Sequence, residues 1–176
     1  MSEFVADLAK LKERARQHMD QGAVTENYKA DVKAVIKVLN DVLATELVCV
    51  LRYRRHYYMA TGINAEGIKA EFLQHANDEQ QHADWVATRI TQLNGHPNFN
   101  PEGLLTRSHS EYSEATDLVS MMKDDLFAER IAIESYSEIV RWLGNDDPTT
   151  RKIIEDILKV EEEHAEDLKS LLEKIS

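Results

Sequence analysis

The chain has 176 residues, with 21 basic and 32 acidic side chains and a net charge of −11. This length suits one domain, and no apolar run reaches the roughly 18 residues of a membrane-spanning helix. The negative charge disfavours DNA binding, and the single cysteine, Cys49, excludes an internal disulfide or a cysteine-based zinc site. Because the N-terminus lacks the apolar core of a signal peptide, we expect a cytoplasmic protein. From the absence of a long apolar run and from the negative charge, we expect no binding to membranes or DNA.

Six glycines and three prolines are few for this length, which favours long helices. A first break at Gly22 predicts a short amphipathic helix near 2–21, with an apolar face of Phe4, Leu8 and Leu11. The later breaks predict four long helices near 30–60, 66–94, 114–143 and 149–175. We therefore expect an all-α protein, an antiparallel four-helix bundle over 30–176 with an additional N-terminal helical extension over 1–29.

Each long helix carries an apolar stripe with steps of three and four residues, and a glutamate interrupts each stripe at its middle. The four glutamates, in chain order, are Glu46, Glu79, Glu129 and Glu161. His82 and His164 follow the second and fourth glutamates by one helical turn. A buried carboxylate without a partner costs several kcal/mol, so this pattern requires neutralising protons or cations.

The spacing of the glutamates predicts that they lie at one level of the bundle. Glu46 and Glu79 are 33 residues apart, and Glu129 and Glu161 are 32 apart. In both hairpins the turn falls near the midpoint, which places all four carboxylates roughly 20 Å from the turns at about 1.5 Å per residue. We therefore expect four carboxylates and two imidazoles to converge at the centre of the bundle.

The Glu-x-x-His spacing places both side chains on one helix face, so that a carboxylate can bridge two ions while the imidazole binds one of them. Oxygen donors with some nitrogen suit iron or manganese, and this ligand set occurs in bundles with paired metal ions. The alternative is a solvated acidic stripe, which is typical of charge runs such as Glu161-Glu162-Glu163. We assign Glu162 and Glu163 to solvent.

Over residues 30–172 the chain resembles the ferritin-like superfamily, and within it the bacterioferritins. The similar stretches are LNDVLATEL, NDEQQHAD, DDLFAERI and VEEEHAEDL. The resemblance implies that Glu46 and Glu129 are terminal ligands, that Glu79 and Glu161 bridge, and that His82 and His164 bind one ion each. It also places Tyr53 near the metals.

This resemblance implies two iron ions per subunit, with manganese as the other candidate metal. It implies oxidation of ferrous iron by oxygen or peroxide, with ferric mineral stored in a hollow shell. The same ligand set also serves oxygenases and manganese catalases, so a redox enzyme without mineral storage is the alternative. A DNA-protecting shell is a third hypothesis, which the charge balance disfavours.

Departures from bacterioferritins affect the expected cofactors and assembly. Gln80 stands where bacterioferritins have the haem-binding methionine, so we expect no haem. The chain ends twelve residues after His164, before the place of the family's fifth helix. It also has an N-terminal segment and a longer connection between the second and third long helices. These features resemble Dps-like mini-ferritins that keep a bacterioferritin-type site, so we expect a homo-oligomeric shell of twelve subunits rather than twenty-four.

Three further residues lie near the predicted site. Asp125, one turn before Glu129, either accepts a hydrogen bond from a ligand histidine or lies on an exposed helix face. Cys49 is expected to be a small buried core residue. His75 shows no ligand spacing and stays unassigned, although its place in the stripe one turn before Glu79 allows an additional polar contact.

Overall fold

The computed structural model describes residues 5–63 and 65–175, and every regular element in them is helical. Helices α1 and α4 are short, spanning Leu8–Arg16 and Leu104–Arg107. The four long helices are α2 Val32–Met59, α3 Ala65–Gln92, α5 Leu118–Leu143 and α6 Pro148–Ile175. No helix in this described part is long and apolar enough to cross a membrane. The predicted all-α bundle is confirmed.

Local signals in the sequence explain where the long helices begin and end. The carboxylate of Asp31 accepts hydrogen bonds from the backbone N–H groups of Lys33 and Ala34, which caps α2. At the other turn, Gly144 ends α5 with a φ of +51°, and Pro148 starts α6.

Helix α5 begins four residues later than the sequence predicts. Arg55 explains the difference, because its guanidinium donates to the backbone carbonyls of Glu114 and Ala115 and holds them outside the helix. Asp117 then supplies the N-cap by accepting from the backbone N–H of Ser120.

The N-terminal helix is shorter than expected and does not pack its apolar face on the bundle. Asp7 caps α1, and Gln17 is already extended, so the helix covers 8–16 rather than 2–21. Phe4 lies outside the described residues. No residue of α1 is buried, and Leu8 and Leu11 are 65% and 43% exposed. The described residues of this chain therefore leave the apolar face uncovered.

The long helices form two hairpins, α2 with α3 and α5 with α6, which pack together as a four-helix bundle. The apolar core is divided into two clusters along the bundle. One includes Leu39 and Leu43 on α2, and the other includes Tyr53 on the same helix and Ala60 directly after its end. Glu46 lies between these two levels, so the core itself leaves a polar layer at the middle of the bundle.

Candidate metal centre

The six side chains singled out from the sequence all lie in this polar layer. Glu46 comes from α2, Glu129 from α5, and the two Glu-x-x-His pairs from α3 and α6. Each of the six residues is at most 3% exposed. The expected alternative of a solvated acidic stripe is therefore wrong for these positions, whereas Glu162 and Glu163 are exposed as expected.

The six side chains form two overlapping groups of four, in each of which the donor atoms lie within 4.8 Å of one another. The first group is Glu46, Glu79, His82 and Glu161. The second group is Glu79, Glu129, Glu161 and His164. Glu79 and Glu161 belong to both groups, so two adjacent cations placed here would share these two carboxylates.

Each histidine faces carboxylates with its Nδ1 atom. His82 Nδ1 lies 3.0 Å from Glu161 Oε1 and 3.2 Å from Glu79 Oε2. His164 Nδ1 lies 3.4 Å from Glu161 Oε2 and 3.5 Å from Glu79 Oε1. Because one imidazole nitrogen can donate only one hydrogen, these contacts cannot all be hydrogen bonds.

Buried polar atoms without a hydrogen-bond partner indicate whether a cation can bind in this layer. Among the described residues, eight buried side-chain polar atoms have no hydrogen-bond partner, and five of them belong to the six site residues. They are Glu79 Oε1, Glu129 Oε2, both carboxylate oxygens of Glu161, and His164 Nδ1. Unpaired buried carboxylate oxygens are costly, and divalent cations with oxygen and nitrogen ligands would satisfy them. The donor set therefore fits two metal ions.

The glutamates differ in how readily they ionise. Burial, together with the charge of Glu79, raises the pKa of Glu46 to about 7 despite the opposing effect of His82. Burial and the charges of Glu79 and Glu161 raise the pKa of Glu129 well above its usual value. Burial also raises the pKa of Glu79 and Glu161, but close contacts with both histidines outweigh it and lower the pKa of each below its usual value. The two shared carboxylates are thus the most readily ionised.

The histidines carry the charge that balances these carboxylates when no cation is bound. Burial lowers the pKa of His164, but the close carboxylates of Glu161 and Glu79 outweigh it and raise the pKa to about 11. The pKa of His82 is raised for the same reason by its contacts with Glu161, Glu46 and Glu79. A metal ion that binds these imidazoles must therefore displace protons.

Two tyrosines hold the unshared glutamates. The hydroxyl of Tyr53 donates to Glu129, and the hydroxyl of Tyr136 donates to Glu46. Each tyrosine follows the glutamate of its own helix by seven residues and binds the glutamate of the other helix. The resemblance indicated Tyr53 but not Tyr136, although the equal spacing was visible in the sequence.

Asp78 contacts a histidine of the centre, although no sequence pattern predicts this contact. Its Oδ2 lies 3.3 Å from His164 Nε2, on the opposite side of the imidazole ring from the carboxylate layer. A carboxylate in this position orients a ligand histidine and favours the tautomer with a free Nδ1. Its position directly before Glu79 was the only available signal.

Both expectations for Asp125 are wrong. Asp125 is fully buried, so it does not lie on an exposed face. Its Oδ1 accepts from Arg52 Nε at 2.8 Å, and its Oδ2 lies 2.8 Å from His56 Nδ1, so its partners are not the predicted ligand histidines. This buried network joins α2 to α5. Cys49, 3% exposed and without a disulfide, is the buried core residue that was expected.

His75, which the sequence left unassigned, makes an additional polar contact. Its Nδ1 lies 3.2 Å from the hydroxyl of Tyr53, and its ring stacks on that of His164 with centroids 3.8 Å apart. Burial and the neighbouring His164 lower the pKa of His75 to about 3, which keeps this imidazole neutral. Gln80, at the position expected to bind haem in bacterioferritins, donates instead to Asp84 at 3.1 Å.

Comparison with known proteins places this geometry in a family. The model of the ferritin-like domain of the ferritin family matches residues 36–176. A curated bacterioferritin from Desulfovibrio desulfuricans is 28% identical over 138 residues, covering 77% of this chain and 73% of the relative.

Two solved structures support the same assignment. A bacterioferritin-related protein from Bacteroides fragilis, described as a dodecameric thioferritin, has a TM-score of 0.80 and 34% identity and covers 84% of this chain and 89% of that chain. Desulfovibrio desulfuricans bacterioferritin, described with its diiron site in different catalytic states, has a TM-score of 0.70 and 26% identity and covers 82% and 81%. This chain belongs to the ferritin family and is a bacterioferritin-related protein with a ferritin-like domain.

Proposed function

We propose that this protein is a ferroxidase, which oxidises ferrous iron with oxygen or peroxide and stores or detoxifies the ferric product. The observation that carries the proposal is the pair of overlapping donor groups that share Glu79 and Glu161. Their unpaired carboxylate oxygens need a cation. The relatives named bacterioferritin, and the diiron site described for one of them, support iron as that cation.

In this proposal Glu46 and Glu129 are terminal ligands, Glu79 and Glu161 bridge, and each histidine binds one ion. Two ferrous ions supply two electrons, which with two protons convert oxygen to hydrogen peroxide or hydrogen peroxide to two waters. The four carboxylates carry four negative charges when ionised, which match two divalent ions but leave two trivalent ions undercompensated. This imbalance favours release of the ferric product.

Proton movements at the site follow from the same residues. His82 and His164 give up protons when iron binds, and Glu46 does so in the fraction that is protonated near neutral pH. Tyr53 and Tyr136 hold the terminal glutamates in position while the cations change. Manganese fits the same donors, so metal analysis of protein purified from its native host decides which metal is physiological.

We propose that the protein assembles as a closed shell of twelve subunits. The Bacteroides fragilis relative, described as dodecameric, supports this number. The exposed Leu8 and Leu11 of α1 supply an apolar surface that a neighbouring subunit would cover. Twelve copies of 20.2 kDa give about 242 kDa, whereas twenty-four give about 485 kDa. Light scattering distinguishes these masses.

Aerobic iron loading tests the storage function separately from the oxidation. We expect a shell near 242 kDa that retains many more ferric ions than its binding sites can hold. A mass near 40 kDa with iron uptake limited to the sites would overturn storage and favour the alternative, a redox enzyme without a mineral core. We also expect no haem, and a Soret absorption band in protein purified from its native host would contradict this.

A further inference from the structure

A second cluster of metal-ligand side chains lies next to the metal centre and shares no residue with it. It consists of Glu71 and His75 on α3 and Asp167 on α6, and their donor atoms lie within 4.8 Å of one another. Asp167 is largely exposed, Glu71 is half-buried, and His75 is 1% exposed. The cluster therefore extends from the surface into the bundle.

The nitrogen atoms of His75 are the evidence that this cluster is built for a ligand. His75 Nε2 is buried without a hydrogen-bond partner, and Asp167 Oδ2 lies 4.0 Å away, too far for a hydrogen bond. The other nitrogen, Nδ1, faces the hydroxyl of Tyr53 at 3.2 Å.

The contact with Tyr53 determines which nitrogen of His75 carries the hydrogen. Tyr53 has one hydroxyl hydrogen and donates it to Glu129, so its oxygen must accept from His75 Nδ1. In the neutral imidazole, Nε2 then has a free lone pair. This lone pair faces a carboxylate oxygen, Oδ2 of Asp167 at 4.0 Å, an arrangement that is repulsive unless a cation lies between them.

We propose that Glu71, His75 and Asp167 bind a third divalent transition-metal ion, separate from the two ions of the dimetal centre. One imidazole nitrogen and two carboxylates suit ferrous, manganous, cobaltous or zinc ions. Donors on opposite sides of such an ion are about 4.2 Å apart, twice a typical ligand distance of about 2.1 Å. The 4.0 Å between His75 Nε2 and Asp167 Oδ2 already lies within this limit.

The third site lies between solvent and the second donor group of the dimetal centre. The ring of His75 stacks on the ring of His164, so an ion bound at Nε2 of His75 is one side chain away from a ligand of that group. The site thus holds an incoming ion beside the centre. It does not depend on the proposed iron oxidation, because its occupancy is measured without turnover.

Counting bound Co²⁺ in the assembled protein tests the third site. Metal-free protein is dialysed anaerobically against Co²⁺, and the ratio of cobalt to subunit is measured by elemental analysis. We expect three ions in the unaltered protein and two in both Glu71→Gln and Asp167→Asn. The matched control is Glu166→Gln, which removes an exposed carboxylate of the same helix that pairs with Lys169 at 3.1 Å. It should retain three ions.

The count separates this proposal from the dimetal centre. The third site is overturned if Glu71→Gln and Asp167→Asn bind as much cobalt as Glu166→Gln. Glu79→Ala should lose ions of the dimetal centre while keeping the ion that Asp167→Asn loses. A protein that binds one ion, lost in Asp167→Asn, would instead overturn the dimetal centre and support the third site.

Discussion

The two halves of the metal centre have matching ligands but different surroundings. The His82 half contains Glu46, His82 and Tyr136, and the His164 half contains Glu129, His164 and Tyr53. In both halves a tyrosine binds the unshared glutamate, and a histidine follows a shared glutamate by three residues. The repeated hairpin therefore accounts for this pseudo-symmetry.

The surroundings of the two histidines break the symmetry. Behind His164 lie Asp78, at 3.3 Å from Nε2, and the stacked ring of His75. His82 instead has Trp85 beside it, with ring centroids 5.6 Å apart, and no carboxylate of the described residues lies within 4.0 Å of its Nε2. The six ligand side chains thus form two similar donor groups, and the side chains behind the two histidines give these groups different surroundings.

Removing a shared glutamate should abolish the function of both halves at once. We expect Glu79→Ala and Glu161→Ala each to lower the initial rate of ferrous oxidation more than about a hundredfold, because each removes a bridge between the ions. Stopped-flow absorbance of the ferric product measures this rate. Glu162→Ala, at an exposed position beside Glu161, is the control. Unchanged initial rates in both glutamate variants would reject this site.

The His82 half should make metal-free protein less stable as the pH rises. The pKa of Glu46 is about 7 in the folded protein, against 4.5 as its ordinary value. The folded state therefore favours the protonated form, and stability is lost as the pH rises from about 4.5 to 7. The loss is on the order of 3 kcal/mol.

Comparing the protein with Glu46→Gln tests this effect, because titrating groups that do not contact Glu46 cancel in the difference. Urea unfolding without metal should show that the variant gains stability relative to the unaltered protein between pH 4.5 and pH 8. Glu134→Gln, an exposed change on α5, should show no such trend. An equal gap between the protein and Glu46→Gln at both pH values would contradict the raised pKa.

Metal binding to both halves should stabilise the fold and release protons. At a free Mn²⁺ concentration a hundred times the dissociation constant, the expected gain is about 2.7 kcal/mol for each ion bound, or roughly 5–10 °C in melting temperature for each ion. Because the raised pKa of His164, about 11, keeps its imidazole protonated at pH 7, Mn²⁺ affinity should rise with pH. Calorimetry in buffers of different ionisation enthalpy measures the protons released. Equal melting temperatures with and without Mn²⁺ would count against the centre.

The asymmetry itself is tested by Asp78→Asn. Loss of the carboxylate behind His164 should weaken metal binding about 10–100-fold in the His164 half only, as loss of such orienting groups does. Stepwise Co²⁺ titration should show one weakened ion of the dimetal centre. Asp84→Asn, whose carboxylate binds Gln80, is the matched control on α3. Equal weakening of both ions would show that Asp78 does not distinguish the halves.

The sequence pattern predicts the four long helices and the convergence of the six site residues at the centre of the bundle. Glycine, proline and capping signals limit the helices, since they act through local backbone geometry. The positions of Glu46 and Glu129 follow from helical periodicity and rise, which are fixed properties of the backbone. Equal distances from the turns then bring these side chains to one level.

The side chains that lie behind the ligands are known only from the packing of the helices. Asp125 pairs with Arg52 and His56, Tyr136 crosses to Glu46, and Asp78 reaches His164. The uncovered face of α1 is also a tertiary result. These contacts depend on side-chain rotamers and on how neighbouring helices are rotated against one another. Periodicity along one helix predicts which of its faces is buried. It does not predict which residues of the neighbouring helices that face contacts.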